Sequence, residues 1–297
     1  MRVFLIGLRR SGTTVLFELF RQDARFVCFD EPFNHMIRDI PTRDEWGSKA
    51  EFIDLYNSAP KLFWKKYAYI NGLDELRDQL TLQQSAWASY LLESSPNIFM
   101  DFTRMNFKIE DLHTLAPEAL LIHIHRSPAS FSVSHILPSV WKQNRYFKYL
   151  RKKQQFWEIY KKYDHWGLET VIGRSNLSYC GEIFKNHGFN VKAIYTANAA
   201  TRLTAFWNLN FMVAQQDGRR LFGENYIQIP FEDFTKAPDP YVKEIYDRLG
   251  VSRPNFDFSA IRPASGNLFP GHPGWRRIQE ILEINPEQVQ FKHDVIM

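Results

Sequence analysis

Arg2-Val3-Phe4-Leu5-Ile6-Gly7-Leu8-Arg9-Arg10-Ser11-Gly12-Thr13-Thr14 is the stretch on which the fold turns. Arg2 to Gly7 is a short apolar run with no turn residue before its glycine, the pattern of a buried strand opening a parallel sheet. Val15, Leu16, Leu19 and Phe20 then fall at helical spacing, which predicts a helix from about Gly12 to Arg21 and hence the start of a βα unit. Between strand and helix, Gly7 and Gly12 have the G-x-x-x-x-G spacing of a phosphate-binding loop, where backbone N–H groups and a helix N-terminus face an anion. Thr13 occupies the place of the lysine that reaches the β- and γ-phosphates in nucleoside triphosphatases, and the cations have moved to Arg9 and Arg10. A triphosphate with Mg²⁺ is therefore a poor fit. A shorter, diphosphate-like group held without metal by amides, the hydroxyls of Ser11, Thr13 and Thr14, and a guanidinium suits the loop better.

Further along the chain, strand and helix patterns alternate. Phe26 to Phe29 reads as a short strand that must stop at Asp30-Glu31-Pro32, because Pro32 disfavours regular structure before it. Leu73 to Ser94 reads as helix, Asn97 to Phe102 as strand, Ile109 to Leu115 as helix and Leu120 to Ile124 as a second buried strand. A helix is expected from Pro128, another over 139–166, and Asn190 to Thr196 fits either a strand or a loop. A helix from Ala199 to Gln215, a strand Tyr226 to Ile229 and a helix Asp239 to Leu249 closed by Gly250 complete the pattern. This alternation predicts a three-layer α/β core around a central parallel sheet. With no repeat, linker or low-complexity tract, residues 1–297 are expected to form a single domain, with segments near 45–95 and 138–190 as a cap.

Composition narrows the class. Of 297 residues, 44% are hydrophobic and 24% charged, and 25 Phe with 8 Trp leave little room for disorder. No apolar run reaches the roughly 18 residues of a membrane span, and the N-terminal one is too short for a signal peptide. Two cysteines, Cys28 and Cys180, build neither a disulfide framework nor a four-cysteine zinc site, so a reducing, cytoplasmic location is expected. The formal net charge is only +4, but residues 139–163 hold eight basic side chains against Glu158 alone. Trp141, Tyr146, Phe147, Tyr149, Phe156, Trp157, Tyr160 and Tyr163 are interleaved with them. That segment is an amphipathic helix with packed aromatics and solvated lysines, a wall for an acidic or sugar ligand, or a surface that touches an anionic membrane or nucleic acid. Trp207 and Phe211, at helical spacing, are read as core.

A second anion site is expected at His125-Arg126-Ser127-Pro128, at the end of the strand Leu120 to Ile124, with Ser134 two turns into the next helix. Ligands of parallel α/β sheets bind outside the carboxyl ends of the strands, so both loops should share one rim. Together the two stretches resemble the sulfotransferases that use 3′-phosphoadenosine 5′-phosphosulfate (PAPS). Arg10-Ser11-Gly12-Thr13-Thr14 matches that family's [KR]-[ST]-G-T-T loop for the 5′-phosphosulfate. Arg126-Ser127-Pro128 with Ser134 matches its R-x-P segment, with a Ser eight residues after the Arg, for the 3′-phosphate. Tyr226 to Phe234 and Pro238 to Val251 are similar to its later strand, "YEDL" turn, helix and "LGV" ending. The chain departs from the family at Ser127, where Asp is frequent, and at Asp101-Phe102-Thr103-Arg104, which keeps only the Arg of a Lys-x-Pro-Arg strand end.

The resemblance implies a phosphate-loop, nucleoside-triphosphate-hydrolase-like fold of the sulfotransferase type. It also implies in-line movement of a sulfuryl group from PAPS to an acceptor hydroxyl, leaving adenosine 3′,5′-bisphosphate, with no metal. Donor contacts fall to Arg9, Arg10, Ser11, Gly12, Thr13, Thr14, Arg126 and Ser134. A C-terminal basic loop on the 3′-phosphate is sought at Ser265-Gly266-Asn267 or at Gly274-Trp275-Arg276-Arg277. Arg10 is expected to balance charge on the departing phosphate oxygen. Glu31 resembles the Glu of the Glu-Pro segment that acts as general base in carbohydrate and protein-tyrosine sulfotransferases, with Asp30 and His35 in reserve. His123 and His125, on a strand, are read as packed residues. The expected acceptor is a carbohydrate or small metabolite, and no nucleic-acid partner is expected. Two other readings remain open, a kinase with a degenerate phosphate loop and a non-catalytic nucleotide-binding regulator.

Overall fold

The computed structural model describes residues 1–42, 49–72, 74–128, 131, 135, 177–196 and 199–264. They fall into two compact units. Met1–His125 with Val213–Ala264 form the first, and the described part of the second lies within Arg126–Met212.

The first unit is built on five parallel strands, β1 (Arg2–Ile6), β2 (Val27–Asp30), β3 (Ile98–Phe102), β4 (Leu120–His125) and β5 (Tyr226–Pro230), in the order β2-β3-β1-β4-β5. Their side chains divide by the two-residue period of a pleated strand. Phe4, Ile6, Met100, Phe102 and Leu121 enter one core. Val3, Leu5, Phe99, Ile122, Ile124, Ile227 and Ile229 enter the other. The second face is covered by α1 (Thr13–Phe20), through Leu16, Phe17, Leu19 and Phe20, and by the helix Pro238–Leu249, through Val242, Ile245 and Tyr246. The first face carries α2 (Ala50–Ser58), α3 (Pro60–Lys66), α4 (Leu82–Leu92) and α5 (Ile109–Leu115), through Phe52, Phe63, Trp87 and Leu112. Helix, sheet and helix make the three layers read from the sequence. Each such aromatic or leucine burial contributes about 1.5–3 kcal/mol.

Three local readings change. Residues 73–94 are not one helix: a 3₁₀ turn at Asp74–Leu76 comes first, and α4 starts only at Leu82. Thr81 and Gln84 stop it there, because each side chain bonds the other's backbone N–H in a capping box. Asn190 to Thr196 is neither strand nor loop but the helix Val191–Thr196, with Asn190 Oδ1 accepting from Ala193 N at 3.0 Å. The helix from Ala199 runs on to Phe222 rather than ending at Gln215.

In the second unit Trp207 and Phe211 are buried and stack with ring centroids 5.0 Å apart, as expected of core residues. The basic aromatic segment 139–163 lies outside the described residues. Among those described, no helix is long and apolar enough to cross a membrane. Cys28 is a free, buried thiol pushed up to about 12 by burial.

Candidate active site

The loop between β1 and α1 is shaped by Gly12. Its φ is +99°, a conformation that side chains rarely adopt, and a Cβ there would sit 2.0 Å from the Phe231 ring. Ser11 N donates to Leu8 O at 2.9 Å and closes the turn. No side chain caps α1 and no acidic residue stands in its first turn, so the positive end of the helix is left for an anion. Ser11 and Thr13 are buried, whereas Thr14 and Arg10 are exposed. Arg10 adopts φ +70°, a strained backbone that costs about 1–3 kcal/mol and that folded proteins tend to keep where function needs it.

Glu31 is the other non-glycine residue with positive φ among those described, at +45°. It directly follows β2, and its backbone N donates to Asp101 O at 2.9 Å. Its carboxylate accepts from Thr103 Oγ1 at 2.8 Å, from Arg104 Nη1 at 3.0 Å and from Asn34 Nδ2 at 2.7 Å. Burial by itself raises the proton affinity of this group. The charges of Arg104 and Lys49, with hydrogen bonds from Thr103 and Arg104, outweigh it and bring the pKa to about 2. Glu31 is thus an ionised acceptor.

Of the reserve bases, Asp30 is tied to Lys49, whose Nζ lies 2.8 Å from its Oδ2, and His35 is exposed. His123 is buried, with Nδ1 2.9 Å from the Tyr226 hydroxyl, and burial drives its pKa down to about 3, in keeping with a packed residue.

Arg9 was expected to face the donor, but its side chain has partners with no local signature in the sequence. Arg9 is buried with both terminal nitrogens on the Glu75 carboxylate, Nη1 at 2.9 Å from Oε2 and Nη2 on Oε1. Glu75 also lies 3.2 Å from Arg104 Nε. Lys108, fully buried, donates to the carbonyls of Asp74 at 2.7 Å, Glu75 at 3.2 Å and Arg77 at 2.6 Å, and burial lowers its pKa to about 8. Asp101 is buried in β3 and neither carboxyl oxygen makes a hydrogen bond of normal geometry. Burial, then the negative charges of Asp30 and Glu31, raise its pKa well above the usual range, although the Thr13 hydroxyl and Lys49 pull the other way. Arg104 was visible as a strand-end arginine, but its partners were not.

Arg126 is the residue after β4; it is half-buried, and the turn that follows is closed by Phe131 N donating to Ser127 O at 2.9 Å. Ser134, Ser265 and Gly266, with the alternative Gly274 to Arg277, lie outside the described residues. No group of three or more His, Cys, Asp or Glu suited to a metal occurs among the described residues.

A strand, a glycine-shaped loop with an uncapped helix start, and a parallel sheet with that strand at its centre define a phosphate-loop α/β protein. Residues 2–170, more than half of the chain, match the profile of the Sulfotransferase family, and the chain belongs to that family. It is accordingly a transferase of sulfuryl groups. No curated protein sequence matches it. Among solved structures it is similar to sulfotransferase STF9 from Mycobacterium avium, at 13% identity and a TM-score of 0.47, over 94% of this chain and 74% of that one. It is also similar to a sulfotransferase from Alicyclobacillus acidocaldarius, at 15% identity and a TM-score of 0.41, over 96% and 97%.

Proposed function

We propose that this chain moves the sulfuryl group of PAPS to an acceptor hydroxyl, that of a carbohydrate or small metabolite, in a single in-line step without metal. The observation that carries this reading is the pairing of the two strained residues. Arg10 follows β1 and Glu31 follows β2, and both strands pair with β3. Both residues lie past the carboxyl ends of strands that flank β3, so they belong to one edge of the sheet.

In this reading the 5′-phosphosulfate lies on the amides of the loop and the start of α1, with Ser11, Thr13 and Thr14 adding hydroxyls and Arg10 a guanidinium. Thr13, in the lysine position, limits the loop to a group less charged than a triphosphate. As the acceptor oxygen bonds to sulfur, the bond from sulfur to the bridging phosphate oxygen breaks. Arg10 and the amides offset the charge that collects on the departing oxygen, and the acceptor proton passes to Glu31. The product is adenosine 3′,5′-bisphosphate. Arg126 and Ser134 are assigned to the 3′-phosphate, with a further contact sought at Ser265-Gly266-Asn267 or at Gly274 to Arg277. Arg9 serves the loop with its backbone, since its side chain is engaged by Glu75. A cytoplasmic location and a single functional domain are parts of the same proposal.

The test is nucleotide preference followed by transfer. Adenosine 3′,5′-bisphosphate should bind more tightly than ATP and with no response to Mg²⁺, and labelled PAPS should pass sulfate to a member of a panel of sugars and phenols. Tighter, Mg²⁺-dependent binding of ATP would replace this reading with a kinase. Tight bisphosphate binding with no transfer to any member would leave a nucleotide-binding regulator.

A further inference from the structure

Arg9, Glu75, Arg104 and Glu31 form an unbroken run of alternating charge that starts in the phosphate loop and ends at the carboxylate after β2. The four residues come from four separate segments: the loop after β1, the 3₁₀ turn at Asp74–Leu76, the end of β3 and the end of β2. Side-chain exposure rises from 5% at Glu75 and 8% at Arg9 to 15% at Arg104 and 21% at Glu31, so the run is rooted at its buried member. Lys108 fixes that root by donating to the carbonyls of Asp74, Glu75 and Arg77, in and just after the turn. Buried ion pairs of this sort add little net stability over apolar packing, so stability alone is a weak reason for the arrangement.

The electrostatics suggest a reason. Arg104 is divided between two carboxylates, with Nε 3.2 Å from Glu75 and Nη1 3.0 Å from Glu31. Arg9 is neutralised by Glu75 within the loop that is assigned to an anion. Glu75 therefore controls how much positive charge each end of the run feels. We propose that Glu75 is a positioning residue for sulfuryl transfer: by holding Arg9 and Arg104 together it keeps the donor loop from over-binding its anion and sets the Glu31 carboxylate towards the acceptor. This rests on the donor and base assignments made above.

The two ends should respond in opposite senses when the charge of Glu75 is removed. In Glu75→Gln, the loop loses the negative charge that Glu75 sets against Arg9, so adenosine 3′,5′-bisphosphate should bind tighter by about threefold or more, while Arg104 turns more to Glu31 and kcat falls by about tenfold or more. Glu75→Asp keeps the charge but draws the carboxylate back by about 1.5 Å. Its nucleotide affinity should stay within about twofold of the unaltered protein while kcat drops. Calorimetric binding of the bisphosphate and sulfate transfer from PAPS read both quantities. Unchanged kcat in either folded variant overturns the proposal, and so does nucleotide binding in Glu75→Gln that is no tighter than before. A parallel loss of binding, turnover and melting temperature in both variants overturns it too, because the turn would then be merely structural. If the unaltered protein neither binds the bisphosphate nor transfers sulfate, the donor assignment itself fails and takes this proposal with it.

Discussion

The loop after β1 and the strand ends of β2 and β3 handle charge in opposite ways. The loop carries an uncapped helix start and the exposed Arg10, and its form is dictated by backbone conformation at Gly12 and Arg10. The strand ends instead gather carboxyl groups beside each other, with Asp30 in register with Asp101 and Glu31 next in the chain. There the state of each group is decided by burial and by what lies around it: Arg104, Lys49 and Thr103 keep Glu31 ionised, while burial and the charges of Asp30 and Glu31 push Asp101 towards its neutral form against the pull of Thr13 and Lys49. Backbone shape governs the loop, and tertiary neighbours govern the charge of the carboxylates.

If that contrast is right, the largest effect belongs to the exposed cation. Arg10→Ala should lower kcat by about 10²–10³-fold, because in the proposed transfer the group offsets charge on the departing oxygen, and the melting temperature should hardly move. Equal loss in nucleotide affinity and kcat, with no change specific to turnover, would make Arg10 a binding residue only. Glu31→Gln should come next, with kcat lower by about 10²-fold and bisphosphate affinity retained. Full activity in that variant removes Glu31 as base and with it the functional half of the comparison. Gly12→Ala tests the loop side: positive φ and the Phe231 ring together should cost about 1–3 kcal/mol in chemical denaturation and weaken nucleotide binding. A neutral result would mean that the loop shape is not set by that glycine.

The same contrast explains what was readable from the sequence. The phosphate loop was legible because its determinants, two glycines, hydroxyls and a strand–helix junction, are contiguous. The sheet was legible because buried parallel strands are near-continuous apolar runs. Glu75 was not, because its partner Arg9 is 66 residues away and nothing near Asp74–Leu76 marks the turn as part of a site. Lys49 and Lys108 share that difficulty: a lysine in the sequence reads as surface, and only the fold shows it among carbonyls. The capping box of Thr81 and Gln84 and the cap at Asn190 are local, and they set helix starts that apolar spacing by itself misplaces.

The smallest effect is the sharpest test, because it depends on sign. Glu31 has a folded-state pKa near 2 against an ordinary 4.5, so its contribution to stability is complete above about pH 4.5 and is lost as pH falls towards 2. Asp101 is displaced upward from 3.8, so as pH rises past 3.8 the unfolded chain ionises while the folded one stays protonated, and stability declines. Glu31→Gln should therefore fall further behind the unaltered protein between pH 2 and 4.5. Asp101→Asn, which keeps the shape of a neutral carboxyl, should gain on it as pH rises above about 4, with a slope of at most about 1.4 kcal/mol per pH unit for one proton. Denaturation midpoints measured across that range give both slopes. If Asp101→Asn instead loses ground as pH rises, Asp101 is ionised in the folded protein, and the two strand ends do not differ as described.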